Sequence, residues 1–128
     1  MSQDQTFPPN PPAMGRLTTH VLDTSIGRPA DGVRIELHAL DGGAALGLAT
    51  TGVDGRCPAP LLEGARFAQG QYVLTFHLAD YFRARGVSLP EPAFLERAVV
   101  HIGIAAPAEH YHVPLLLNPF GYSTYRGS

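Results

Sequence analysis

The stretch His110-Tyr-His-Val-Pro-Leu-Leu-Leu-Asn-Pro-Phe-Gly-Tyr-Ser-Thr-Tyr-Arg-Gly-Ser128 decides the fold. Two alternating runs flank Asn118-Pro119-Phe120-Gly121, residues that favour a turn, so the stretch reads as a β-hairpin. Strand side chains point alternately to opposite faces. One face of the first run therefore carries Tyr111, Val113, Leu115 and Leu117, an apolar set suited to a core. The other carries His110, His112, Pro114 and Leu116. On the second run Ser123, Tyr125 and Gly127 share one face, and Tyr122, Thr124 and Arg126 the other. Patterning this regular up to Ser128 is expected of a built site, not a frayed end.

The same period of two recurs upstream. Leu17–Asp23 places His20 and Leu22 on one face and Thr19, Val21 and Asp23 on the other. Val33–Leu40 turns Val33, Ile35 and Leu37 inward and Arg34, Glu36 and His38 outward. A turn at Asp41-Gly-Gly43 leads into a short strand over Leu46–Thr51, and Asp54-Gly55 makes another turn just before Arg56. Gln71–Leu78 shows Tyr72, Leu74, Phe76 and Leu78 on one face, and Phe94–Ile104 presents Ala98, Val100, Ile102 and Ile104 to a core. Ala79–Arg85, stopped by Gly86, is the single helical candidate. Seven or eight short strands joined by turns predict an all-β sandwich. Pro8, Pro9, Pro11 and Pro12 make residues 1–15 an expected disordered or extended arm, leaving 16–128 as the domain.

A chain of 128 residues with 45% hydrophobic content suits one domain with a real core. Charged residues are 16% of it, against about 25% in an average soluble domain, so self-association is expected. A net charge of −2 without a basic run argues against nucleic acid or an anionic membrane as partner. No apolar run approaches the roughly 18 residues of a membrane span. Met1–Pro12 has neither the basic nor the apolar region of a signal peptide, and a cytoplasmic protein is expected. A lone Cys57 permits no intrachain disulfide and no paired-cysteine metal motif.

His110 and His112 share a strand face at a spacing that can hold zinc, yet no third Cys, His or Glu ligand stands at a diagnostic distance in sequence. No metal site and no cofactor are expected. His20, Arg56, His112 and Tyr125 together supply proton acceptors, a fixed cation and a phenol. Histidine, with an unperturbed pKa of about 6.5, suits general acid–base work. The planar guanidinium suits a flat, anionic or carbonyl-rich substrate. Such a set can activate water and stabilise the oxyanion formed at an attacked carbonyl. Each residue also has an ordinary reading: exposed strand histidine, solvated loop cation, packing tyrosine. Spacing alone does not bring them together.

These residues resemble those of a known family. The chain resembles the transthyretin-like family, on its 5-hydroxyisourate hydrolase branch, from about Leu17 to Ser128. Leu17-Thr-Thr-His-Val-Leu-Asp23 with Gly27-Arg-Pro-Ala30, then Thr51-Gly-Val-Asp-Gly-Arg56, Tyr111-His-Val-Pro-Leu-Leu116 and Tyr125-Arg-Gly-Ser128 carry the likeness. The last four residues are its most specific piece, because they separate the hydrolases from hormone-carrying transthyretins. The resemblance implies an eight-stranded sandwich with one short helix. It also implies a homotetramer, a dimer of dimers with substrate channels between the dimers. It implies metal-free hydrolysis of the small molecule 5-hydroxyisourate to 2-oxo-4-hydroxy-4-carboxy-5-ureidoimidazoline, a step of urate (purine) degradation. By position, His20, Arg56, His112 and Ser128 match catalytic residues, and His20, Arg56 and Tyr125 match substrate contacts. Which histidine is the base stays open. Pro114, in mid-strand, is expected at a face or edge where its missing N–H does little harm. The competing expectation is a transthyretin-like carrier of a small hydrophobic ligand, which needs neither paired histidines nor an arginine at the channel mouth.

Overall fold

Two β-sheets share one apolar core in the computed structural model, which describes residues 15–128. The arm expected over residues 1–15 lies, Gly15 apart, outside the described residues. The strands are β1 (Arg16–Asp23), β2 (Arg28–Pro29), β3 (Arg34–Ala39), β4 (Gly42–Thr50), β5 (Leu62–Glu63), β6 (Gly70–Phe76), β7 (Ala98–Ile104), β8 (His110–Asn118) and β9 (Gly121–Thr124). One α-helix, α1 (Leu78–Ala84), joins β6 towards β7. Of the strands among the described residues, β2 and β5 are only two residues long and flank β1. The first sheet runs β2-β1-β8-β9 with β5 also paired to β1; the second runs β4-β3-β6-β7.

Alternation built these layers as the sequence predicts. Leu17, Val21, Ile35, Leu37, Leu74, Phe76, Val113, Leu115 and Leu117 from both sheets form one buried cluster, joined by Tyr81 and Phe82 of α1. Each large apolar side chain so buried contributes about 1.5–3 kcal/mol. Element ends differ from the periodic reading where a polar bond intervenes. β6 stops at Phe76: His77 still donates its N–H to the Arg34 carbonyl, but its backbone leaves the strand region before α1 begins. β7 starts at Ala98, not Phe94, because Glu96 accepts from the Ala93 N–H (2.6 Å) and pairs with Arg83 of α1 (3.0 Å). β4 starts at Gly42, so the hairpin turn is tighter than expected; Gly42 and Gly43 take φ of 91° and 90°, values that favour glycine.

Pro114 meets the expectation of a place where its missing N–H does little harm, though not at an edge strand. It sits on β8, an inner strand between β1 and β9, not at an edge. Its carbonyl accepts from Thr124 Oγ1 (2.6 Å), and the carbonyl of His112, two residues earlier, accepts from Gly127 N–H (2.8 Å). Both therefore point towards β9 and the tail, and so does the nitrogen that lacks a hydrogen. β9 ends opposite Leu115, one residue short of Pro114, where that missing donor is met.

Candidate active site

β1 and β8 run parallel, with Arg16 opposite His110, Thr18 opposite His112, His20 opposite Pro114 and Leu22 opposite Leu116. Paired residues in register show their side chains on one face. The outward faces of two strands distant in sequence thus merge into one polar strip. Thr18 Oγ1 lies 2.7 Å from His110 Nε2 and 2.8 Å from His112 Nδ1, so a single hydroxyl joins both imidazoles.

The Asp54-Gly55 turn brings Arg56 to this strip. Asp54 Oδ1 accepts from the Arg56 N–H (3.0 Å), the Gly55 carbonyl accepts from Val21 N–H (2.9 Å), and Arg56 bridges to His20. Gly55 has φ of 78°, and a Cβ there would collide with the Val21 carbonyl and crowd His20. Only glycine lets the turn seat this closely. His20 Nε2 is 3.0 Å from the Asp54 carbonyl. A carbonyl only accepts, so Nε2 carries the hydrogen and Nδ1 the lone pair.

The tail closes the opposite side. Arg126 lies over the Tyr111 ring (3.9 Å) and donates to Glu109 (3.0 Å) and the His110 carbonyl (3.2 Å). A Cβ on Gly127 would approach His112 Cδ2 to 2.7 Å, so glycine is what allows the chain to cross the imidazole. The result is a cavity of about 350 Å³ whose wall includes Arg16, Thr18, Arg56, His110, His112 and Ser128. Three of the predicted residues, Arg56, His112 and Ser128, therefore meet in one cavity. His20 stands beside it, bonded to the turn that carries Arg56. Tyr125 does not join them; it borders a separate groove with Val100, Ile102 and Tyr111.

Burial, and then the charges of Arg56, His110 and His20, hold the His112 pKa below the ordinary histidine value. The neutral form of the His112 imidazole is thereby favoured. Among the described residues no group of three or more His, Cys, Asp or Glu side chains is placed to hold a metal ion. No helix among them is long and apolar enough to cross a membrane.

The HIUase/Transthyretin family pattern matches residues 17–127. The chain belongs to that family. It is 60% identical over 116 residues to 5-hydroxyisourate hydrolase 2 of Rhizobium meliloti (strain 1021), covering 89% of this chain and 97% of that relative. Among solved structures, (S)-allantoin synthase aligns with a TM-score of 0.85 and 43% identity, over 91% of this chain and 45% of that one. The Klebsiella pneumoniae 5-hydroxyisourate hydrolase aligns with a TM-score of 0.76 and 36% identity, over 90% of this chain and all (100%) of that one.

In this member of the HIUase/Transthyretin family two cavity residues escape a reading by residue type, Arg16 and Thr18. The available signal was position: both lie at even steps from His20 on the outward face of β1. Cys57 also lines the cavity, and burial, then the Asp54 charge, pushes its thiol pKa up. Because the thiolate is the reactive form, Cys57 is expected to alkylate with iodoacetamide more slowly than free cysteine at pH 7. A faster rate would show that the thiol is activated. Arg56→Met gives a second expected result. It removes one of the charges that depress His112, so the acid limb of the kcat/KM–pH profile, which reports the free protein, moves to higher pH, while burial still holds that pKa below the ordinary histidine value. An unmoved limb would show that Arg56 does not act on His112.

Proposed function

We propose that the chain hydrolyses 5-hydroxyisourate to 2-oxo-4-hydroxy-4-carboxy-5-ureidoimidazoline, a step of urate degradation, without a metal. One observation carries this reading: Arg56 and the neutral imidazole of His112 face one small cavity in a chain 60% identical to a 5-hydroxyisourate hydrolase. His112 Nδ1 is engaged by Thr18, which leaves Nε2 for the attacking water. Nε2 takes the water proton as the oxygen bonds to the ring carbonyl. Arg56 offers its paired donors to the developing oxyanion and the anionic edge of the substrate. The ring C–N bond then breaks, and the leaving nitrogen receives the proton back from His112. His20 has two tasks. Its Nε2–H braces the Arg56 turn, and its Nδ1 lone pair accepts from a substrate N–H. Ser128 closes the cavity wall as a polar contact.

A homotetramer in the cytoplasm is part of the proposal. The low charge content supports an interface with other copies, and the polar strip on β1 and β8 stays open to a solvent channel between them. Tyr125, which borders the other groove, is assigned to substrate contact in that assembly and not within one chain. The test is the ultraviolet decay of freshly generated 5-hydroxyisourate, with and without protein and with chelator present. Acceleration that chelator does not affect is expected. Decay at the spontaneous rate would favour a carrier, and ligand binding would be measured instead.

A further inference from the structure

The Thr18 hydroxyl lies between two ring nitrogens but has one hydrogen to give. It can donate to His110 Nε2 and accept from His112 Nδ1, or the reverse. Either way the two imidazoles are forced into linked tautomers. With Thr18 donating to His110, His112 carries its hydrogen on Nδ1 and has a lone pair on Nε2, the state that can take a proton from water. With His110 protonated, its Nε2–H must donate, Thr18 must donate to His112 Nδ1, and His112 Nε2 bears a hydrogen, the state that can give one.

We propose that Thr18 is a positioning residue that relays a proton between His112 and His110, so that one imidazole serves as base and then as acid within a turnover. The inference rests on the hydrolase reading above. The balance is closed. His112 Nε2 takes the proton from water; its Nδ1 proton moves to Thr18 Oγ1, and the Thr18 proton moves to His110 Nε2. His112 stays neutral and His110 becomes an imidazolium at the exposed end of the strip. The reverse transfer returns a proton to His112 Nε2 and thence to the leaving nitrogen as the C–N bond breaks. Solvent exposure, not neighbouring charge, supports storing the charge on His110, since Arg16 and Arg126 are cations beside it. His112 is half-buried and faces Arg56 and His20. His110 is exposed, opposite Arg16 on β1, and Glu109 and Arg126 meet beside it. A positive charge is therefore better solvated on His110 than on His112.

The test uses the full chain labelled with 15N-histidine, together with Thr18→Val, Thr18→Ser and His110→Gln. In the wild type, His112 is expected to move its hydrogen from Nδ1 to Nε2 as the pair takes up its first proton. In T18V and H110Q that exchange is lost. T18V is expected to lower kcat by about 10–100-fold, with KM changed by less than about twofold, and T18S to restore the rate. Wild-type turnover in T18V, or one fixed His112 tautomer through the titration, would overturn the relay. Should T18V not fold, H110Q gives the same readout from an exposed position. A protein that did not hydrolyse 5-hydroxyisourate would defeat the functional reading alone, and the nitrogen shifts would still decide the coupling.

Discussion

His112→Ala is expected to lower kcat by about 10²–10⁴-fold, the loss that follows removal of a positioned general base. The side chain is half-buried on the cavity wall, so truncation removes the base and opens space without touching the inward face of β8. Tyr111, Val113, Leu115 and Leu117 keep that strand in the core, so folding and assembly should survive. His20→Ala should also be severe, by loosening the turn that fixes Arg56 as well as by removing a substrate contact. The double variant should then lose much less than the product of the two single losses, since groups that act as a unit are not additive. Steady-state kinetics with size-exclusion profiles of all three variants decide the matter. Wild-type kcat in His112→Ala would sink the assignment.

Much of this was legible in the sequence because it depends on local period. The inward sets of β1, β3, β6 and β8 are all buried as alternation predicts, and the Asp54-Gly55 turn delivers Arg56. Registers between distant strands were not legible. Thr18 meets His110 and His112 across 92 and 94 residues, and nothing in the period of either strand states that β1 and β8 pair in parallel. Whether Pro114 lay on an edge strand or at an unpaired point of an inner one was not legible for the same reason, since a strand pattern does not say which neighbours a strand has. Tyr125 shared a face with Gly127 by alternation, but β9 ends at Thr124, and beyond it the period of two no longer governs where side chains go.

Parallel pairing of β1 with β8 does more than set the fold. It gathers three polar side chains that neither strand could assemble alone, and it leaves the core on the other face undisturbed. Glycines at 55 and 127 then permit a turn and a tail to approach the strip from either side. Cavity shape follows from backbone proximity at those two points, so its walls are set by the sheet, the turn and the tail. A site of that kind holds its groups in position before substrate arrives, which is where much of the catalytic benefit of fixed donors comes from.

Asp23→Ala is expected to cost about 3–5 kcal/mol of stability, which for a domain of this size lowers Tm by roughly 10 °C or more. Asp23 ends β1 on its inward face with no exposed surface. Its Oδ2 accepts from Tyr81 Oη–H (2.8 Å) and Arg85 Nη1 (3.1 Å), and its Oδ1 from the Ser25 N–H (2.9 Å) and hydroxyl (2.5 Å). Truncation leaves the buried Tyr81 O–H without its acceptor, although the hydroxyl still accepts from Arg85 Nη1 (3.1 Å), and it removes the carboxylate that pins α1 to β1. Arg85 is partly solvated and can turn to water, so the loss should fall nearer the lower figure. Tyr81→Phe, which removes one donor and leaves the carboxylate its other partners, should cost only about 1 kcal/mol. Thermal unfolding of both variants and of the pair measures the coupling directly. A Tm within about 2 °C of wild type for Asp23→Ala would mean the cluster contributes little. Turnover per folded molecule, measured well below the transition, should be retained. Leu17, Thr19, Val21 and Asp23 are buried, whereas Thr18 lines the cavity and His20 stands beside it on the outward face, so one strand keeps stability and chemistry on opposite sides.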